Sequence, residues 1–179
     1  EPRAGAAKEP AASGTHWTSA PMVDIGRDPR WGRVMEGAGE DTYLGSQIAI
    51  ARGKGFQGEK LGALDRVMAT AKHFAGYGAA VAGRDYNAAD MSEQQLHEVF
   101  LPPFKAAVDA GVATFMNSFN TLNGVPATAS TTLQRGLLKG KWGYKRFVVS
   151  DWASIKELVD HGYATDLGQA AAQAIKAGS

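Results

Sequence analysis

The sequence contains no cysteine, which excludes disulfides, thiolate catalysis and cysteine-ligated zinc or iron–sulfur sites and leaves the compartment open. It has no apolar run near the roughly 18 residues needed to span a bilayer. It lacks an excess of either charge. Lys and Arg number 19 against 18 Asp and Glu, a formal net charge of +1 that gives no general pull toward nucleic acid or an anionic membrane. Glu1, Arg3, Lys8 and Glu9 interrupt the N-terminus, so this chain holds no signal-peptide core. His16, His73, His97 and His161 show no HxxxH-type spacing, and no metal site is expected. What is present fits a globular domain: 179 residues, 44% hydrophobic and 21% charged. The 22 glycines cluster with Asp, Arg and Asn, a pattern of tight functional loops on a regular scaffold.

Residues 1–15 carry two prolines and no apolar period and read as a tail or linker. Four short apolar runs follow, at 18–25, 67–73, 112–118 and 146–151. Each is nearly continuous rather than alternating, as expected of strands buried on both faces of a parallel sheet. Helical patterns lie between them. One stripe from Tyr43 is ended by Gly53. A second is capped by Ser92 and kinked at Pro102–Pro103. Others run from Ser130 or Thr131 through Leu138, from Ile155 to Gly162, and onward from Asp166. The repeated strand–helix order predicts an α/β fold with a parallel sheet. A closed (β/α)8 barrel needs eight strands, and four are counted here.

The segment 24–41, DIGRDPRWGRVMEGAGED, packs acids, arginines, glycines and a tryptophan into one loop. Internal ion pairs would explain its charges. Arg30-Trp31-Gly32-Arg33 also offers guanidinium forks for hydroxyls and an aromatic face for a sugar ring or base. Its spacing does not suit calcium, since the twelfth position from Asp24 is Met35. Lys72-His73 ends the second run ahead of a Gly-rich turn, and Ser150-Asp151-Trp152 ends the fourth. An Asp between strand and helix is commonly an N-cap. It is also the position of a catalytic carboxylate at the C-terminal mouth of a parallel barrel. Gly53–Gly58 spells GxGxxG, but after a helix rather than a strand, so a dinucleotide site is not expected. The cluster of Lys139, Lys141, Lys145 and Arg146 reads as a solvated face.

The segments APMVDIGRDPRWGRVMEGAGEDTYL, KHFAGYGAAVAGRDYN, MNSFNTLNGVPAT and WGYKRFVVSDW resemble, in order, the signatures of the glycoside hydrolase family 3 barrel domain. The resemblance covers 16–179 and is nearest to bacterial β-glucosidases of periplasmic type. It implies part of a (β/α)8 TIM-type barrel, about four βα units. It also implies a retaining exo-β-glucosidase that needs no cofactor. By matching motifs, Asp151 falls on the catalytic nucleophile. Arg33, Lys72 and His73 fall on ligands of sugar hydroxyls, and Trp152 on an aromatic wall of the aglycone side. The implied partners are a β-glucoside or oligosaccharide substrate, the rest of the barrel, and a second domain carrying the acid/base Glu. Nucleic acid and membrane are not among them. Export to the periplasm or outside the cell is implied as well. Two features depart from the common pattern. Phe119 stands where many relatives have Tyr, and the 75–87 loop has no histidine, against the N-acetylglucosaminidase branch. A β-xylosidase, another exo-β-glycosidase and a non-catalytic sugar-binding module are the alternatives. The intact Asp151 disfavours the last.

Overall fold

A computed structural model describes residues 2–179; Glu1, part of the expected tail, lies outside the described residues. In chain order the elements are α1 (Pro2–Ala12), α2 (Thr42–Gln57), β1 (Thr70–Phe74), α3 (Glu93–Gln95), α4 (Pro102–Asp109), β2 (Thr114–Asn117), β3 (Thr121–Leu122), β4 (Val125–Pro126), β5 (Val148–Val149), α5 (Glu157–Asp160) and α6 (Leu167–Ala177). Leu96–Phe100 and Thr132–Lys141 are π-helical.

The sheet is parallel and ordered β1–β2–β5, with Thr70 opposite Thr114 and Phe115 opposite Val148. The first apolar run lies along the free edge of β1. It pairs through isolated parallel bridges, Trp17 with Met68 and Met22 with Lys72, rather than through a full ladder. Pro21 has no N–H to give, so the ladder is interrupted there. The four runs therefore stand side by side in sequence order, with helical crossovers between them, as βα units require.

Helices cover the sheet through an apolar core in which Phe74, Phe104 and Phe115 meet at ring distances of 5.3–6.1 Å. Each buried aromatic of this kind contributes about 1.5–3 kcal/mol. Ser92 and Asp166 cap their helices as expected, accepting from the N–H of Gln95 and Gln169.

Several expectations are corrected. Residues 2–12 are a helix, not a tail. Alanine-rich sequence favours helix, Pro2 sits at its start, and Ala7 is fully buried in the main core. Gly53 does not end α2, which continues to Gln57. A Cβ on Gly53 would lie 2.7 Å from Val112, so the glycine permits close approach to the β2 side of the core. Gln57 then bonds across the sheet's lower edge. Its Oε1 accepts from Ala69 N (3.1 Å) and Ala113 N (2.7 Å), and its Nε2 donates to Gly111 O (3.1 Å). The GxGxxG stretch is thus a piece of scaffold. The antiparallel hairpin β3–β4 was not expected from the apolar runs. Its Asn123-Gly124 turn has positive φ at both residues, and the Asn123 side chain fastens the hairpin to Met91 with two 2.9 Å bonds.

Candidate active site

Four loops rise from the C-terminal ends of the parallel segments, where barrel enzymes place their chemistry. The first carries Asp24 and Arg33, β1 carries Lys72 and His73, β2 leads to Phe119, and β5 leads to Asp151. The peptide bonds Lys72–His73 and Phe74–Ala75 are both cis.

His73 is fully buried and faces two carboxylates. Its Nδ1 lies 2.8 Å from Asp24 Oδ2, and its backbone N–H donates to the same oxygen at 2.9 Å. Its Nε2 lies 3.2 Å from Asp151 Oδ2, close enough for an ion pair but poorly angled for a hydrogen bond. Burial works against a charged imidazole here. The neighbouring Asp151 and Asp24 outweigh it and hold the His73 pKa above its ordinary 6.5.

Asp151 is half-buried, and burial alone would raise its pKa. His73, the Trp152 N–H at 2.6 Å and the charge of Lys72 more than offset that, and its carboxyl is held below 3.8. The N-cap reading fails on geometry. Among the described residues the carboxylate takes only the N–H of the next residue, and α5 begins after Lys156. Asp151 is an ionised carboxylate beside His73, free of a helix-capping role.

Arg33 makes a bidentate pair with Glu36, at 2.6 and 2.9 Å, and its guanidinium lies 5.5 Å from the centre of the Tyr77 ring. Burial opposes its charge, but Glu36 overrides this and keeps it protonated; Arg33 in turn holds Glu36 below its ordinary value. Arg52 of α2 donates to the carbonyls of Met22 and Glu36, both at 3.3 Å, and fixes the loop. Lys72 lines a cleft of about 310 Å³ with Pro21, Met22, Met35, Glu36 and Arg52. A groove of about 380 Å³ between Leu96, Leu122, Leu133 and Leu137 shares no residue with this site.

The structure therefore brings Arg33, Lys72, His73 and Asp151 into one electrostatic neighbourhood. The Trp152 indole is apart, 84% exposed at the rim. Trp31 does not offer a sugar-stacking face. It is 1% exposed, edge-on to Tyr77 at 5.2 Å, and donates to Asp85 Oδ1 at 2.9 Å. Arg30 is spent on Asp28 at the surface. The roles of Asp24 and Glu36 were not anticipated. Asp24 was legible as the one acid embedded in the apolar run APMVDI.

The whole span from residue 4 to 179 matches the model of the glycosyl hydrolase family 3 N terminal domain. The chain belongs to glycosyl hydrolase family 3. It is 48% identical over 172 residues to a periplasmic beta-glucosidase of Salmonella typhimurium, covering 96% of this chain and 22% of that protein. It is 40% identical over 177 residues to a beta-xylosidase of Formosa agariphila, covering 96% and 24%. Among solved structures, a beta-glucosidase from Listeria innocua in complex with glucose superposes with a TM-score of 0.94 at 40% identity. That match covers 98% of this chain and 25% of the Listeria chain. The family 3 chain thus spans about a quarter of the length of these relatives. Its α/β architecture is part of the TIM-type barrel of family 3 glycosidases.

Proposed function

We propose that this chain forms part of the catalytic barrel of a retaining exo-β-glucosidase and supplies its nucleophile, Asp151. The observation that carries the reading is the state of that carboxylate. It is ionised, half-buried, uncapped and set beside His73 and Lys72 at the mouth of a parallel sheet. A nucleophilic carboxylate must be charged at working pH and accessible on one side. In this reading Arg33 and Lys72 bind the hydroxyls of the terminal glucosyl unit, and the exposed Trp152 forms a wall of the aglycone side. His73, which the motif also put among the hydroxyl ligands, is fully buried between Asp24 and Asp151 and stands behind the nucleophile instead.

An oxygen of Asp151 attacks the anomeric carbon as the glycosidic bond breaks, and a carboxylic acid protonates the leaving oxygen. Water then releases the sugar with retained configuration. The nearby carboxylates are not placed to protonate the leaving oxygen. Glu36 is held ionised by Arg33, and Asp24 is buried behind His73. The acid is therefore assigned to a segment beyond this chain, together with the strands that close the barrel. That agrees with the share of the relatives that the chain spans. The similarity to a periplasmic beta-glucosidase supports work in the periplasm or outside the cell. Among the described residues no helix is long and apolar enough to cross a membrane.

Hydrolysis of β-xylosides is the second reading, favoured by the beta-xylosidase relatives. The test is to assay the full-length protein on aryl β-glucoside and β-xyloside and follow the anomer first released by NMR. Faster turnover of glucoside with β-glucose released first is expected. Preference for the xyloside selects the second reading, and α-glucose released first refutes the retaining mechanism.

A further inference from the structure

We propose that Asp24 is a positioning residue that keeps His73 doubly protonated beside Asp151, most of all while Asp151 is esterified to the sugar. The inference rests on the nucleophile reading above.

It starts from the hydrogen-bond pattern. One oxygen of Asp24, in a side chain 1% exposed, receives both the backbone N–H and the Nδ1 of His73, at 2.9 and 2.8 Å. A backbone N–H only donates, so that oxygen accepts from both groups, and this fixes a proton on Nδ1. The opposite ring nitrogen then has no choice of partner. Nε2 is buried and, among the described residues, meets only Asp151 Oδ2, at 3.2 Å. With Nδ1 already protonated, a neutral ring would set the Nε2 lone pair against a carboxylate oxygen, acceptor against acceptor. A second proton on Nε2 turns that repulsion into an attraction. The ring is sealed from water by Tyr77 and Phe119, at 5.1 and 6.5 Å between ring centres, so solvent cannot relieve the conflict.

Every other charged group at hand either opposes the imidazolium or is committed elsewhere. Arg33 disfavours a positive ring. Lys72 carries the same sign as the imidazolium and acts on Asp151 and Glu36. Glu36 is bonded to Arg33, and the Tyr77 phenol, pushed up by burial and by Asp85, stays neutral. The histidine's counter-charges are thus Asp24 behind and Asp151 in front.

This matters because Asp151 gives up its charge during the reaction. When its oxygen bonds to the anomeric carbon and the aglycone leaves, the carboxylate becomes a neutral ester. For the lifetime of that ester Asp24 alone balances the imidazolium. Without Asp24 the ring releases its proton, and the group facing the ester carbonyl changes from donor to acceptor. The second half-reaction, in which water cleaves the ester and the negative charge returns to Asp151, loses a cation that stabilises the returning carboxylate.

The test compares the full-length enzyme with its Asp24→Asn variant. Asn keeps the shape and an accepting oxygen for both His73 N–H groups, but not the charge. The His73 pKa is read by NMR with labelled histidine, and kcat and kcat/KM for an aryl β-glucoside are followed against pH. Loss of an opposite charge at hydrogen-bond distance lowers the His73 pKa by about 1–3 units. The alkaline limb of kcat then shifts to lower pH by a similar amount, and further than that of kcat/KM. Unmoved limbs with His73 titrating as in the parent overturn the proposal, even if the variant is less stable, because that is the signature of a purely structural Asp24. If the variant does not fold, the parent's own titration decides: a His73 pKa at or below the ordinary value overturns the proposal. Trapping with a 2-fluoroglucoside separates the two readings. Failure to label Asp151 refutes the nucleophile assignment, while the His73 titration still judges Asp24.

Discussion

Replacing Asp151 by Asn isolates the charge of the proposed nucleophile from its shape. The amide keeps the side-chain volume, and its oxygen can still accept the Trp152 N–H that Asp151 takes at 2.6 Å. On its other side it meets His73 Nε2 at 3.2 Å. There an amide NH2 would oppose an Nε2–H, so the ring sheds that proton or the amide turns. At an effective dielectric of about 20, two unit charges at this range interact by about 5 kcal/mol, a ceiling that desolvation cuts back. The fold should therefore survive with a modest loss. Catalysis should not survive, because no ester can form on a neutral amide. The expected loss is about 10³-fold or more in kcat, near 4 kcal/mol of barrier. The assay is turnover of an aryl β-glucoside by the full-length variant, beside a thermal melt to show that it is folded. A folded Asp151→Asn enzyme within about tenfold of the parent rate would refute the reasoning.

Further variants and conditions bear on the rest of the site. Arg33→Ala and Lys72→Ala should each lower kcat/KM by about 10–100-fold and weaken inhibition by glucose, the scale of a lost hydrogen bond to a charged group; two variants that bind glucose like the parent place the pocket elsewhere. Gly78→Ala would drive a Cβ into the Ile25 carbonyl oxygen, so the 76–83 loop must part from the Arg33 loop. A loss of about 3 kcal/mol or more is expected, visible as a lowered unfolding midpoint, and an unchanged midpoint contradicts that packing. The acid–base pair should give stability a defined window. The raised His73 favours the fold fully below its unfolded value of 6.5 and loses that contribution as pH rises through its higher folded value. The lowered Asp151 favours the fold fully above 3.8 and loses its contribution as pH falls through its lower folded value. Both operate together between about pH 4 and 6.5, and denaturant melts of His73→Gln should lose the alkaline side of that window. Residues 1–179 expressed alone should show no useful β-glucosidase turnover and should self-associate, since two strand edges stay unpaired; light scattering and an aryl β-glucoside assay check this, and an active monodisperse monomer contradicts it.

The sequence made the sheet legible because its strands are buried on both faces and read as unbroken apolar runs such as FVVSD. The crossover helices were legible from their caps, Ser92 and Asp166 among them. The N-terminal helix was missed because alanine carries almost no hydrophobic signal while packing closely, as fully buried Ala7 does. The hairpin was missed although Asn123-Gly124 announces it, because two-residue strands give no alternation to count. At the site, the motifs pointed to Arg33, Lys72, His73 and Asp151. What no motif gave was the partner of each: Glu36 for Arg33 is three residues away, but Asp24 for His73 is 49 residues away and meets it only once the first two parallel segments align. Trp31 misled for the same reason, since an indole in a charged loop looks exposed until Tyr77 and Asp85 fold over it.

The central claim is that Asp151 forms the covalent bond to the sugar. Incubating the full-length protein with a dinitrophenyl 2-deoxy-2-fluoro-β-glucoside traps that bond, because the fluorine slows both formation and hydrolysis of the ester while the good leaving group keeps formation the faster of the two. Peptide mass mapping of the trapped protein should place one fluoroglucosyl group on Asp151, with loss of activity in step with labelling. A label on any other carboxylate, or inactivation without a sugar on Asp151, would contradict the account.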